Sequence, residues 1–571
     1  MASTADSSGS GPSKPPSSSQ PRLSAKSTAD PILRNALRYT ISAKEYETLH
    51  KYIISRSKVL RRNAPSVARV ERLVRRPSSK HGEGGTWEGG AGGIGGEDYN
   101  AAAIRASLRV FLASSAGLKI WEMIREHFLG KERGRGSKVP FYRNPNLRLS
   151  LSLSTILLLH RLLFRFFTRL RAHLLTPEAR PFRQRNKRTS KTLTSSLAPA
   201  VGASLAGFML AVYPADQLRV TIAIYALTRA AEFAYSHAEE EGWIWRRGDG
   251  SRPWWWGSWL LFPVASGQLL HAFVFDRECF PKGYGDFILK YSQQYIAPRP
   301  EDYPASLPWP DQYEIVDNLA EMARLNYPPF VSPILFPNTQ TLPASLSAIG
   351  PITAPAHPLL TSLTCATLHP HDPSCTRTYL SSYLSSFPPL ARLFTIVFTI
   401  LSLPSYKHFY SKPITSLNTL ASTILRYTTF VSGAVGTSWA AICLFQNILP
   451  RHVLATQRFF LGGVLGGMWG FVVRRQARGE FLYAVRASLD SVWKVGRKRG
   501  WWRGMRGGDV WLFVVSLMVI NGVYERDTKA KAINSGVVRR GVSFLRGDGE
   551  ESRRVAERKA EESLEKRLKD N

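Results

Sequence analysis

The sequence predicts an all-α, multi-pass helical membrane protein with two related helical repeats, a disordered N-terminal tail and a charged C-terminal helix. Three observations carry that prediction. Long apolar runs carry no charge, the charges crowd into the segments between them, and two stretches of the chain resemble each other in order. The average hides this. A hydrophobic content of 44% and a mean hydropathy of −0.16 suit a water-soluble protein, but only because greasy and basic blocks cancel. The 571 residues hold 76 Lys+Arg against 42 Asp+Glu, a formal charge of +34. The four cysteines, Cys279, Cys365, Cys375 and Cys443, are too few and too scattered for a disulfide-stapled secreted domain. Plentiful aromatics and aperiodic glycine exclude a wholly disordered or collagen-like chain.

A helix needs about 20 mostly apolar residues to cross a hydrocarbon layer of about 30 Å. Residues 192–215, 253–275 and 427–450 contain no Asp, Glu, Lys or Arg, and charge closes each of them on both sides. A buried helix of a soluble protein would show a polar face, so these read as membrane segments. Residues 459–473 and 510–524 are uncharged for 15 residues each, about 22 Å of helix, enough to span if flanking arginines snorkel or the bilayer thins. Residues 393–406 are similar. Residues 149–170 are apolar but carry Arg161, Arg165 and Arg169 at spacing four. That spacing puts the three guanidiniums on one helix face, either partly in the membrane or pointed at a polar partner. The expectation is about six to ten membrane-associated helices.

Residues 1–30 are rich in Ser, Pro and Lys with no apolar core, a disordered tail rather than a secretory signal, so internal spans would direct insertion. Residues 31–98 combine a basic amphipathic helical segment with a Gly-rich linker. The first suits an anionic lipid surface or, equally, a solvated helix packed on the membrane part. The linker contains a G-x-G-x-x-G at Gly90, Gly92 and Gly95, but no strand precedes it, so it reads as low complexity and not as a nucleotide site. Residues 99–290 and 366–545 are the two expected repeats. The proline-rich connection 291–365 separates them, and residues 546–571 form the acid–base alternating C-terminal helix.

The repeat rests on three matches in one order. Gly202-Ala-Ser-Leu-Ala-Gly parallels Gly462-Gly-Val-Leu-Gly-Gly, Tyr225-Ala-Leu-Thr-Arg parallels Tyr483-Ala-Val-Arg, and the Trp259-Leu-Leu-Phe run parallels Trp511-Leu-Phe-Val. Within the first match, Gly202/Ala206 and Gly462/Gly466 place small residues at spacing four. That is the device by which helices in lipid bring their backbones together, within the chain or between copies in a homo-oligomer.

One segment has the donor types of a metal site: Cys365-Ala-Thr-Leu-His369-Pro-His371-Asp-Pro-Ser-Cys375. Two thiolates and two imidazoles suit tetrahedral zinc, but C-x3-H-x-H-x3-C is not a finger spacing, so the expectation is a proline-shaped cap leading into the next helix and no metal. No hydrolase elbow, P-loop or zinc-protease helix is present, and His160 and His271 stand alone on apolar segments. No catalytic residue and no cofactor are expected. The basic excess sits beside apolar runs, as at 180–191 and 494–506, which favours anionic headgroups over nucleic acid as the partner.

The motif His369-Pro-His-Asp-Pro-Ser-Cys375 with the helix from Tyr379, and the stretch 196–288 including Phe280-Pro-Lys-Gly-Tyr-Gly-Asp-Phe, resemble the transmembrane protein 135 family. The first is similar to that family's cysteine-rich region, where a His-Pro and Cys motif precedes a membrane helix. The chain departs from the family pattern in its four cysteines and long N-terminal extension. The resemblance implies a non-enzymatic protein of peroxisomal or mitochondrial membranes, with roles in lipid homeostasis or organelle dynamics. The other readings are a carrier or pore at the repeat interface, with Arg161, Arg165 and Arg169 meeting an anion, and, ranked last, a lipid enzyme using His369, His371 or Asp372.

Overall fold

A computed structural model describes residues 39–52, 54–56, 66–68, 70, 99–129, 143–244, 253–301, 303–304, 306–337, 342–527, 532–533 and 536–547. The N-terminal tail, the Gly-rich linker, most of the basic run at 61–76 and the C-terminal charged helix lie outside them. The described secondary structure is helical apart from one isolated bridge, Pro329 to Ser362. The chain forms two compact units, residues 1–214 with 535–571, and residues 215–534. These boundaries cut across the two expected halves.

In the first unit α1 (Ala43–Tyr52) is followed by α2 (Tyr99–Leu129) and α3 (Pro145–Leu175). Asn144 caps α3, its side chain accepting from the Asn146 N–H, with Pro145 in the first turn where no donor is needed. α2 and α3 pack together. Ala101, Ala103 and Ala106 are buried, and the Ser107 hydroxyl meets Ser154 Oγ at 2.8 Å. Small and hydroxylic residues let helices approach where lipid offers no hydrophobic drive.

Residues 192–215 do not form one straight span. α4 (Lys187–Thr194) ends at Ser195, and α5 (Ala198–Ala203) tightens into a 3-10 turn, Ser204–Val212. The two parts meet at 87°. Ser195 is extended, and Pro199, in the first turn of α5, has no N–H to give the Ser195 carbonyl, so a helix can start there but not run through. Charge-free composition cannot show such a break.

The second unit runs α6 (Gln217–Glu240), α7 (Leu261–Phe275), α8 (Lys282–Lys290), α9 (Gln312–Arg324), α10 (Leu363–Leu368), α11 (Cys375–Ser402) and α12 (Pro413–Ile448). It continues with α13 (Gln457–Gly467), extended by the 3-10 turn Met468–Val473, α14 (Arg478–Lys498) and α15 (Gly508–Arg526). The last described helix, α16 (Gly536–Arg546), belongs to the first unit. In the second unit α7 lies against α13 and α14, α6 against α15, and α12 against α11 and α13. Phe262, Phe273, Phe430, Trp439, Phe459 and Phe481 fill the centre. The proline-rich connection is itself folded onto this core. Asp311 caps α9, whose buried Ile315, Leu319 and Met322 share that core with Leu346 and Ile352.

Six helices among the described residues are long and apolar enough to cross a bilayer: Tyr99–His127, Pro145–Leu175, Ser258–Phe275, Cys375–Ser402, Pro413–Ile448 and Gly508–Arg526. α11 and α12 expose Leu380, Leu384, Ile396, Ile400, Leu401, Ile414, Leu417 and Leu425. An apolar surface of that kind is a liability in water and ordinary in hydrocarbon.

Candidate functional site

The most concentrated chemistry in the second unit is a thiol–imidazole cluster. α10 carries Cys365 on a turn whose six residues are all buried. The chain then reverses through His369-Pro-His-Asp-Pro, and Ser374 caps α11, accepting from the Arg377 N–H. This delivers Cys375 as the first residue of α11. The fourth member, Cys443, comes from α12 and is fully buried. The donor atoms of Cys365, His369, Cys375 and Cys443 all lie within 4.8 Å of one another. Cys365 and Cys375 Sγ are 3.9 Å apart, and His369 Nε2 is 3.4 Å from Cys375 Sγ and 3.6 Å from Cys443 Sγ.

The turn fixes the imidazole. His369 Nδ1 is 2.7 Å from the Asp372 carbonyl, so Nδ1–H donates there and Nε2 faces the sulfurs. Burial opposes a charge on His369, but the Cys365 and Cys375 thiols and the Asp372 carbonyl outweigh it and raise the imidazole to about 10. The Asp372 carboxylate accepts from Arg377 Nε at 2.7 Å and from the Ser374 N–H at 2.9 Å, and Arg377 holds its carboxyl below the usual range. The turn is therefore braced on both sides of the ring. One of the sequence's four donor candidates changes standing here. His371 is exposed and apart, and Cys443, 74 residues from His369, takes its place.

The small-residue pairs also have locations. Gly462 and Gly466 face α12: a methyl group at 462 would lie 3.0 Å from the Ser438 carbonyl, and one at 466 would lie 2.6 Å from that of Ala434. The next two glycines along, Gly463 and Gly467, face α7 in the same way. Gly202 lies against the Phe167 ring, and Ala206 is buried.

The arginine stripe does not line an open path. Arg161 Nη2 donates to the Phe544 carbonyl at 2.6 Å, His160 Nδ1 lies 3.2 Å from that of Leu545, and the Tyr99 hydroxyl reaches that of Arg546 at 3.1 Å. Three side chains thus take the last carbonyls of α16, at the end where a helix favours positive charge. Arg165 donates to Asn100 Oδ1 at 3.1 Å and lies over the Tyr99 ring, while Arg169 is exposed.

A second feature is a cleft of about 320 Å³ at the start of α7, lined by Trp254, Trp256, Trp259, Arg474, Arg475 and Arg478. The Arg474 guanidinium lies 4.0 Å from the centre of the Phe471 ring and 5.5 Å from that of Trp254, and its buried Nη1 has no hydrogen-bond partner. Arg478 is held by Glu232 at 2.8 Å. In the sequence these tryptophans lie within one apolar run, and nothing local links them to arginines some 200 residues on.

The chain matches no family model, no curated protein and no solved structure.

Proposed function

We propose that this chain is a non-enzymatic, multi-pass integral membrane protein of the transmembrane protein 135 type, with anionic lipid headgroups as its immediate ligands. It acts in peroxisomal or mitochondrial membranes, in lipid homeostasis or organelle dynamics. The cleft at the start of α7 carries the ligand part of this reading. Tryptophans prefer the headgroup level, and here three of them stand at the entrance to an apolar helix beside Arg474 and Arg475. A guanidinium stacked on two rings, with one buried N–H pair uncommitted, is arranged to meet phosphate oxygens.

The element order supports a duplicated membrane unit. A long helix pair, a small-residue helix that tightens into a 3-10 turn, a mixed-charge helix and an apolar helix occur as α2, α3, α5, α6, α7 and again as α11 to α15. Gly202 and Gly462, Tyr225 and Tyr483, and Trp259 and Trp511 fall at or beside corresponding elements.

Lipid retention tests the ligand. The full chain is purified in mild detergent and its co-purifying phospholipid measured by native mass spectrometry, beside Arg474→Gln/Arg475→Gln. Retention of anionic over neutral phospholipid, lowered about ten-fold in the variant, is the expected result; equal retention of both lipid classes contradicts it. Tagged protein that avoids both peroxisomal and mitochondrial markers contradicts the organelle assignment.

A further inference from the structure

We propose that Cys365, His369, Cys375 and Cys443 form a structural zinc site that fastens the start of α11 to α12. The distances carry the argument. Zinc bound tetrahedrally at about 2.3 Å to sulfur and about 2.0 Å to nitrogen sets its ligands about 3.8 Å apart for two sulfurs and about 3.5 Å apart for sulfur and nitrogen. The corresponding separations are 3.9 Å for Cys365–Cys375, 3.4 Å for Cys375–His369 and 3.6 Å for Cys443–His369. The remaining pairs stay inside 4.8 Å. The edges of a zinc tetrahedron are already drawn by atoms from three separate elements.

The donor chemistry agrees. Three thiolates and one imidazole select a soft, tetrahedral ion and not a hard one. His369 presents the correct nitrogen because the Asp372 carbonyl holds the other, the outer bond that zinc-bound imidazoles usually make. Cys375 opens a helix, where partial positive charge favours a thiolate. Four protein ligands leave no open position, so the site is structural and not catalytic.

The alternative chemistry for this cluster is a Cys365–Cys375 disulfide. It would leave His369 and Cys443 facing sulfurs with nothing to bind. All four cysteines are thiols in the structure.

The test is elemental analysis of the full chain, purified in detergent without chelator from zinc-supplemented cells. About one zinc per chain is expected, falling below about a tenth in Cys443→Ser and Cys375→Ser and unchanged in Cys279→Ser and His371→Ala. Because a ligand variant can fail to fold, the wild-type chain is also stripped with chelator and titrated with cobalt. The visible spectrum of tetrahedral thiolate-bound cobalt is expected to saturate near one equivalent. Folded wild-type protein with less than about a tenth of a zinc, iron or copper in its place, full zinc in Cys443→Ser, or a Cys365–Cys375 disulfide found by mass spectrometry would each overturn the assignment. None of these readouts depends on the lipid cleft.

Discussion

Gly467 of α13 rests against Pro263 of α7 so closely that a methyl group at position 467 would lie 2.5 Å from the Pro263 Cα. Gly463 meets the Ser266 carbonyl at the same hypothetical distance, and Gly267 of α7 answers with 2.8 Å to the Phe460 carbonyl. The neighbours here are backbone, which cannot swing aside. Gly463→Ala and Gly467→Ala are therefore expected to cost about 1–3 kcal/mol each. Gly522→Ala meets nothing within 4 Å and is expected to be neutral or to gain up to about 1 kcal/mol in helix propensity. Thermal unfolding of the detergent-purified chain, read by tryptophan fluorescence, ranks the three.

Arg458 is fully buried, with no carboxylate opposite it among the described residues. Its guanidinium donates to the carbonyls of Leu449, Pro450 and Val453 and lies 4.8 Å from the centre of the Tyr327 ring. It thereby ties off the turn between α12 and α13. Arg458→Met keeps the stem and leaves those carbonyls without their donor, at a cost of about 2–3 kcal/mol. Arg458→Lys, with a single point of donation, is expected to recover less than half of that loss in the same unfolding experiment.

Lys498 supplies the pH dependence. A hydrogen bond to Glu278, opposed by burial and helped by Asp276, raises its ammonium above the ordinary value. A raised lysine stabilises the fold fully below its unfolded pKa of about 10.4, and that stability is lost as pH climbs through the folded value. The Glu278→Gln variant should therefore trail the wild type at neutral pH and converge with it in strong alkali. Lys498 is 45% exposed, so the neutral-pH difference stays below about 1 kcal/mol.

Arg161→Ala removes the donor to the Phe544 carbonyl and should loosen residues 536–547. Hydrogen exchange in α16 is expected to rise about ten-fold, since one charge-assisted hydrogen bond is worth about 1.5 kcal/mol or more. Arg169→Ala, exposed on the same helix, leaves α16 unchanged.

Local pattern explains what the sequence revealed. Charge-free runs marked α7 and α12, the apolar stretches at 149–170 and 510–524 fall in α3 and α15, and the one at 393–406 begins in α11 and runs past its end at Ser402, because hydropathy over a window is a local property. α2 escaped notice because Arg105, Arg109, Lys119 and Glu122 are spread along it and no long charge-free run survives. The break between α4 and α5 was invisible for the opposite reason, since polarity says nothing of a turn at Ser195 and Pro199. At the thiol–imidazole cluster the sequence supplied three of the four donors. It offered His371 as the fourth because that residue is near, whereas Cys443 comes from a helix beyond α11 and only packing brings it in. The arginine stripe was visible, but its partner, the carbonyl end of α16, was not, because backbone acceptors leave no trace in residue identity.

Alkaline carbonate extraction of cell membranes holding the full chain tests most directly whether the apolar helices lie in hydrocarbon. The protein should stay with the pelleted membranes and be released only by detergent, because exposed leucines and isoleucines on α11 and α12 hold it in the bilayer. Recovery in the carbonate supernatant as folded, unaggregated protein would contradict the membrane reading and the proposals that rest on it.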